Sequence, residues 1–173
     1  MCIRDRAWAP RAQAFAARVR DIHEFLQELG LSERFQAQLQ PLSHADGSPA
    51  TANNPVPVVF HDACHMVHGQ GISSQPRALL RQIPHLALRE PLDAGVCCGS
   101  AGIYNLVQPQ EAETLGRLKA DDLAATHAEL VASANIGCSL QIRRHLENGE
   151  QHISVTHPIE LLDRSYTAAA QAR

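Results

Sequence analysis

Two cysteines stand side by side in the stretch GVCCGSAGIYN, residues 95–105, in a chain that holds five cysteines in all. Vicinal cysteines rarely pair with each other, because the small ring that would join them departs from ordinary disulfide geometry. Cys97 and Cys98 must therefore find other partners. Cys64 in HDACH and Cys138 in NIGC offer two further thiols, and four thiolates are the ligand set of an iron-sulfur cluster or of a tetrahedral zinc site. Residue types and spacing leave both open. Gly95, Gly99 and Gly102 let the backbone turn tightly beside a bulky cofactor and aim N–H groups at its sulfides. Cys138 gains further if it opens a helix, whose positive end favours the thiolate.

Other polar groups surround these thiols. His61, His65 and His68 flank Cys64 and could act as ligands, proton carriers or hydrogen-bond donors to a cluster. Asp62 is expected to cap or orient the HDACH turn through its carboxylate. The other histidines, His23, His44, His85, His127, His145 and His152, fall in helical, linker or turn contexts where exposure to solvent is expected. Thiol-disulfide catalysis by Cys97 and Cys98 lacks the CxxC spacing at a helix start that makes such pairs work. No Ser-His-Asp arrangement, phosphate loop or GxGxxG is visible, so no catalytic residue is assigned and the substrate chemistry is expected to reside in another chain.

The elements that must position the thiols follow from hydrophobic period. Short apolar runs at residues 56–60, 86–89, 130–134 and 153–156 read as strands, and they alternate with helical patterns at 76–83, 109–126, 138–148 and 158–170. This predicts an α/β fold, an open, mostly parallel sheet of about four strands flanked by helices. In such a sheet the loops leaving the carboxyl ends of the strands share one edge, where ligands bind. Cys64 follows the first strand, Cys97 and Cys98 the second, Cys138 the third and His157 the fourth, so topology alone would gather them. Ahead of the sheet, Phe15, Val19, Ile22, Leu26 and Leu29 line one face of a single expected helix ending at Gly30. A shorter helical piece over 31–39 and the polar connector HADGSPATANNP complete an amino-terminal helical arm, residues 1–54, before a cysteine-rich domain, residues 55–173.

Composition narrows the class. The chain has 173 residues, 45% of them hydrophobic, and a net charge of −3, so it can bury a core without disulfides and offers no basic patch for nucleic acid. No apolar run approaches the roughly 20 residues that span a bilayer, and the start lacks a secretory layout. A cytoplasmic location is expected, where thiols stay reduced and cysteine clusters serve metal or redox chemistry. The opening MCIRDR joins no later pattern, and Cys2 is left outside the site.

HDACHMVHGQGI (61–72), LDAGVCCGSAGIYNLVQP (92–109), NIGCSLQI (135–142) and THPIELLD (156–163) resemble the carboxyl-terminal cysteine-rich CCG domain of the glycolate oxidase (glycolate dehydrogenase) iron-sulfur subunit. The broader group includes subunits of heterodisulfide reductase, anaerobic glycerol-3-phosphate dehydrogenase and the lactate-utilisation system. Its signature is one cysteine, a gap, CCG, a similar gap and CxxC; here the gaps hold 32 residues (65 through 96) and 39 residues (99 through 137). The resemblance implies an electron-transfer subunit of a glycolate-oxidising oxidoreductase, with Cys64, Cys97, Cys98 and Cys138 binding a 4Fe-4S cluster and zinc as the alternative. His61, His65, His68, Gln141 and His157 would stand beside the centre. It also implies flavin-containing glycolate oxidase subunits as partners and a quinone-type acceptor, hence peripheral association with the cytoplasmic face of the inner membrane. Family members carry an amino-terminal ferredoxin-like region with CxxCxxCxxxCP runs that this sequence does not contain. Gln141 stands where the closing CxxC would place its second thiol, which favours a four-cysteine cluster or zinc over a five-thiolate cluster.

Overall fold

The structure, a computed structural model, describes residues 7–31, 33–147 and 153–171. MCIRDR, Cys2, His152 and the end of the helix expected to reach residue 148 lie outside them. Strand β1, Val56–His61, is a run of six buried residues, the pattern of a strand covered on both faces. It pairs in parallel with β2, Leu86–Arg89, on one side and with β3, Leu130–Ser133, on the other; β4, Ser154–Thr156, pairs with β3. The order is therefore β2-β1-β3-β4, an open parallel sheet as the sequence predicts.

Side chains alternate across the sheet with a period of two, and each face receives its own helices. Val59, Val131 and Val155 pack with Ala120 and Leu123 of α6, Pro109–Ala124, and with Ile142 and Leu146 of α7, Ile136–Glu147. Val58, Phe60 and Ala132 pack with Leu79 and Leu80 of α4, Ser74–Leu80, and with Leu161 and Leu162 of α8, Pro158–Gln171. The short helix α5, Tyr104–Val107, has no counterpart in the sequence reading.

The arm departs from expectation. Instead of one helix through Phe15 and Leu29, the chain forms α1, Ala9–Ala16, and α2, Ile22–Leu29, with α3, Glu33–Gln36, beyond. Asp21 is the cause: its extended backbone and a reciprocal capping box with Glu24 start a new helix. Phe15, Val19, Ile22 and Leu29 consequently stay exposed, and only Leu26 of that stripe packs against the core. The connector is not loose, because the Glu129 carboxylate accepts from the Ala45 amide at 2.8 Å and meets His44 Nδ1 at 2.7 Å. The Glu129 bond raises the His44 pKa. Ser165 and Gln40 add a mutual pair of hydrogen bonds between α8 and the arm.

Histidine placement also corrects the sequence reading. His85 and His127 are exposed as expected, but His23 is fully buried and His145 is buried on α7. His23 is inside because α2 packs against α4 and the His23 ring stacks on His157 with centroids 5.4 Å apart. Spacing along one helix cannot show such a tertiary contact.

Candidate metal centre

The sheet order sets the site. From β1 the chain crosses to β2 on one side, then returns to build β3 and β4 on the other, so the direction in which strands are added reverses between β1 and β3. That switch point opens a crevice at the carboxyl ends of those two strands. Their last residues, His61 and Ser133, are register partners, and Cys64 and Cys138 follow within a few residues of each.

Each thiol is held by a separate device. Beyond β1, Cys64 precedes a wide π-helical turn, His65–Gln70, that closes on Gly71 in the left-handed region at φ 71°. Asp62 does not cap this turn, contrary to expectation; its carboxylate forms a bidentate pair with Arg77 of α4 at 2.8 and 2.5 Å. Arg77 also binds Glu90 at 2.8 and 2.7 Å and lies over the Phe60 ring at 4.6 Å. Both carboxylates raise the pKa of its guanidinium, Asp62 most strongly. Cys138 sits in the first turn of α7, where its amide donates to the Asn135 side chain at 3.1 Å. The helix thus starts two residues earlier than its expected start at 138.

The Cys97–Cys98 loop is fastened from behind by α6. Lys119, fully buried, donates to the Asp93 carbonyl at 2.6 Å and lies 3.5 Å from Asp122, whose carboxylate accepts from the Leu92 amide at 2.9 Å. Gly99 has φ 82°, and a Cβ there would lie 2.5 Å from the Ala112 carbonyl oxygen, so the loop touches the α6 backbone directly. Its amide donates to Cys97 Sγ at 3.4 Å.

The result is a cavity of about 370 Å³ lined by all four thiols together with His65 and Ser100. Cys97 is in hydrogen-bonding reach of Cys64 and Cys98, and Cys98 of Cys138. A hydrogen bond from the Cys138 thiol lowers the Cys98 pKa to about 6, and the same bond raises that of Cys138. Burial raises Cys97. The shared hydrogen bond thus favours the thiolate on Cys98 over Cys138, and backbone amides add to it. His61 offers one further donor: a ring nitrogen, Cys98 Sγ and Cys138 Sγ all lie within 4.8 Å of one another. Burial pushes the His61 pKa down to about 4, which keeps the imidazole neutral. Four soft sulfurs and a neutral imidazole are donors suited to iron-sulfur clusters and zinc.

The remaining expected neighbours divide. His65 lines the cavity, whereas His68 lines an adjoining one with Cys64, Asp62 and Arg77. His157 stands apart in its stack with His23, and its Nδ1 accepts from the Ile159 amide at 3.2 Å. Gln141 turns away, donating to the Ala112 carbonyl at 3.1 Å and meeting His145 Nε2 at 3.3 Å. Sequence reasoning missed Arg77 and Lys119. The contacts that tie them to the site lie 15 residues away for Arg77 with Asp62 and 26 for Lys119 with Asp93, beyond the reach of local spacing.

A parallel α/β sheet that gathers four thiols at its switch point defines a cysteine-rich α/β domain. Residues 58–143 match the cysteine-rich CCG domain and belong to that family. The chain is 37% identical over 111 residues to a fumarate reductase (CoM/CoB) subunit of Methanothermobacter marburgensis, covering 64% of this chain and 23% of the relative. It is 32% identical over 143 residues to a probable glycolate oxidase iron-sulfur subunit of Bacillus subtilis, covering 83% of this chain and 29% of the relative. Lactate utilization protein A 2 of Bacillus cereus is 34% identical over 104 residues, 60% of this chain and 43% of the relative. The chain thus spans less than half the length of each of these relatives. No helix among the described residues is long and apolar enough to cross a membrane.

Proposed function

We propose that this chain is the carboxyl-terminal, cluster-binding part of an iron-sulfur electron-transfer subunit in an oxidoreductase complex. The observation that carries the reading is the convergence of Cys64, Cys97, Cys98 and Cys138 on one cavity at the sheet's switch point. The similarity to a probable glycolate oxidase iron-sulfur subunit and to a lactate utilization protein supports the same role. In this reading the four cysteines are thiolate ligands of one 4Fe-4S cluster, which when bound accepts and passes single electrons. The protein's own part is to hold the thiolates, bury those of Cys98 and Cys138 and supply amide donors to sulfur, as Gly99 does for Cys97.

The substrate that fits best is glycolate. A flavin-containing partner subunit would take the electron pair as glycolate becomes glyoxylate, and the electrons would pass singly through this chain toward a quinone-type acceptor. The similarity to the glycolate oxidase subunit runs over 83% of this chain and supports that choice. Such a complex would lie at the cytoplasmic face of the membrane by peripheral association. Residues 1–54 form the arm and residues 55–173 the cofactor domain of this proposal.

A specific observation favours a second reading. The His61, Cys98 and Cys138 donors lie within 4.8 Å of one another, near enough to be drawn onto a single ion, which suits a structural zinc site on a docking module. Anaerobic purification followed by iron, acid-labile sulfide and zinc analysis separates the two. Iron and sulfide in near-equal amounts are expected; zinc without sulfide would establish the second reading, and neither metal at near-stoichiometric level would overturn both.

A further inference from the structure

His61 is the least explained polar residue of the site. It is 2% exposed, yet its Nε2 makes no hydrogen bond among the described residues. Leaving a buried ring nitrogen without a partner forfeits its hydration with nothing in return, so a site that keeps one invites a partner of another kind. A core position at the end of a strand would accept an apolar residue at no such cost. Three observations say what the partner is.

The first is proximity. A His61 ring nitrogen lies within 4.8 Å of both Cys98 Sγ and Cys138 Sγ, which themselves are within that distance of each other. With metal–sulfur bonds of about 2.3 Å and metal–nitrogen bonds of about 2.1 Å at tetrahedral angles, donors sharing one metal lie about 3.6–3.8 Å apart. The three groups therefore need to close by at most about 1 Å to share one.

The second is orientation. His61 Nδ1 faces Ser133 Oγ at 3.4 Å, and an imidazole that ligates through one nitrogen commonly has its other N–H held by an oxygen, which fixes tautomer and ring plane. The third is support. His61 ends the central strand and is the register partner of the last residue of β3, so the ring is carried by a paired strand at the crevice rather than by a loop. Gln141, by contrast, is bound to the α6 backbone and turned from the sulfurs.

We infer that His61 is a nitrogen ligand of the metal centre, completing a donor set with Cys98 and Cys138. The inference rests on the reading that these thiolates hold a metal, and deepens it by naming a non-cysteine ligand. Beside the four thiolates a neutral imidazole adds no negative charge, so the centre's reduction potential is higher than it would be with a fifth thiolate at that position.

The test uses the full chain, purified anaerobically, reconstituted with ferrous iron and sulfide, and labelled with ¹⁵N-histidine. Pulsed EPR of the reduced centre is expected to show a nitrogen coupling of the size of direct coordination, altered by the label. His61→Cys is expected to keep iron and sulfide, lose that coupling and shift the potential downward, whereas His65→Gln and His68→Gln keep it. Iron and sulfide bound in full with no such coupling in the unsubstituted chain would overturn the inference and leave the iron-sulfur reading intact. A coupling that survives His61→Cys would overturn it too. Where zinc alone is bound, X-ray absorption at the zinc edge is expected to give three sulfurs and one nitrogen, and four sulfurs would overturn it. Failure to bind iron or zinc overturns the inference together with the reading on which it rests.

Discussion

Substituting Gly99 separates two costs that the cysteine loop carries. Gly99 has φ 82°, and its ideal Cβ would meet Ala112 O at 2.5 Å, Ala112 Cα at 3.1 Å and Ala112 C at 3.2 Å. All three are backbone atoms of α6, so no flexible side chain can give way. Gly102 has a similar φ of 65° but nothing within 4 Å of its Cβ. Gly102→Ala therefore incurs only the left-handed backbone penalty, about 1 kcal/mol. Gly99→Ala adds overpacking against a backbone, about 1–3 kcal/mol more, for a total of about 3 kcal/mol. At about 2–4 °C per kcal/mol for a chain of this size, Tm should fall by about 6–12 °C for Gly99→Ala and about 2–4 °C for Gly102→Ala. Thermal unfolding of the metal-free proteins by circular dichroism measures both, and iron content after anaerobic reconstitution should fall further for Gly99→Ala. Equal losses for the two variants would refute the claim that the loop is seated directly on α6.

Three further outcomes are expected. Arg77→Leu leaves the mostly buried Asp62 carboxylate without its partner and should cost about 3–5 kcal/mol in urea unfolding, with much of the loss recovered by adding Asp62→Asn. In the metal-free protein His61 has a folded pKa of about 4 against an ordinary value of 6.5, so the unfolded chain binds more protons between those values. Stability is therefore full above pH 6.5 and falls as pH drops toward 4, by about 3 kcal/mol in all; urea midpoints across that range should slope less in His61→Gln. Gln141→Ala should destabilise through its bond to Ala112 yet leave metal content unchanged, and a sharp loss of metal would place Gln141 at the centre after all.

The sheet was legible because its strands are short apolar runs and its helices carry a different period. Continuous burial of Val56–His61 follows from that run, and the gathering of the cysteines follows from parallel topology. Strand order was not legible, since nothing local says whether β3 joins β1 or β2. The arm shows a competing signal: the apolar spacing of Phe15 to Leu29 continues through Asp21, but the Asp21–Glu24 capping box divides it. That box can be read in the sequence, and it outweighs periodicity because it satisfies backbone donors at a fixed point. His61 as a deeply buried donor, the Arg77 clamp and the Lys119 anchor depend on contacts between elements and emerge only from the fold.

The central claim is that four thiolates at the switch point hold an iron-sulfur cluster. Iron and acid-labile sulfide per chain, measured after anaerobic preparation of the unsubstituted protein and of Cys98→Ser, test it most directly. Near-equal, stoichiometric iron and sulfide are predicted in the first, and a sharp loss of both in the second. Absence of sulfide from the unsubstituted protein, or full iron and sulfide in Cys98→Ser, would contradict it.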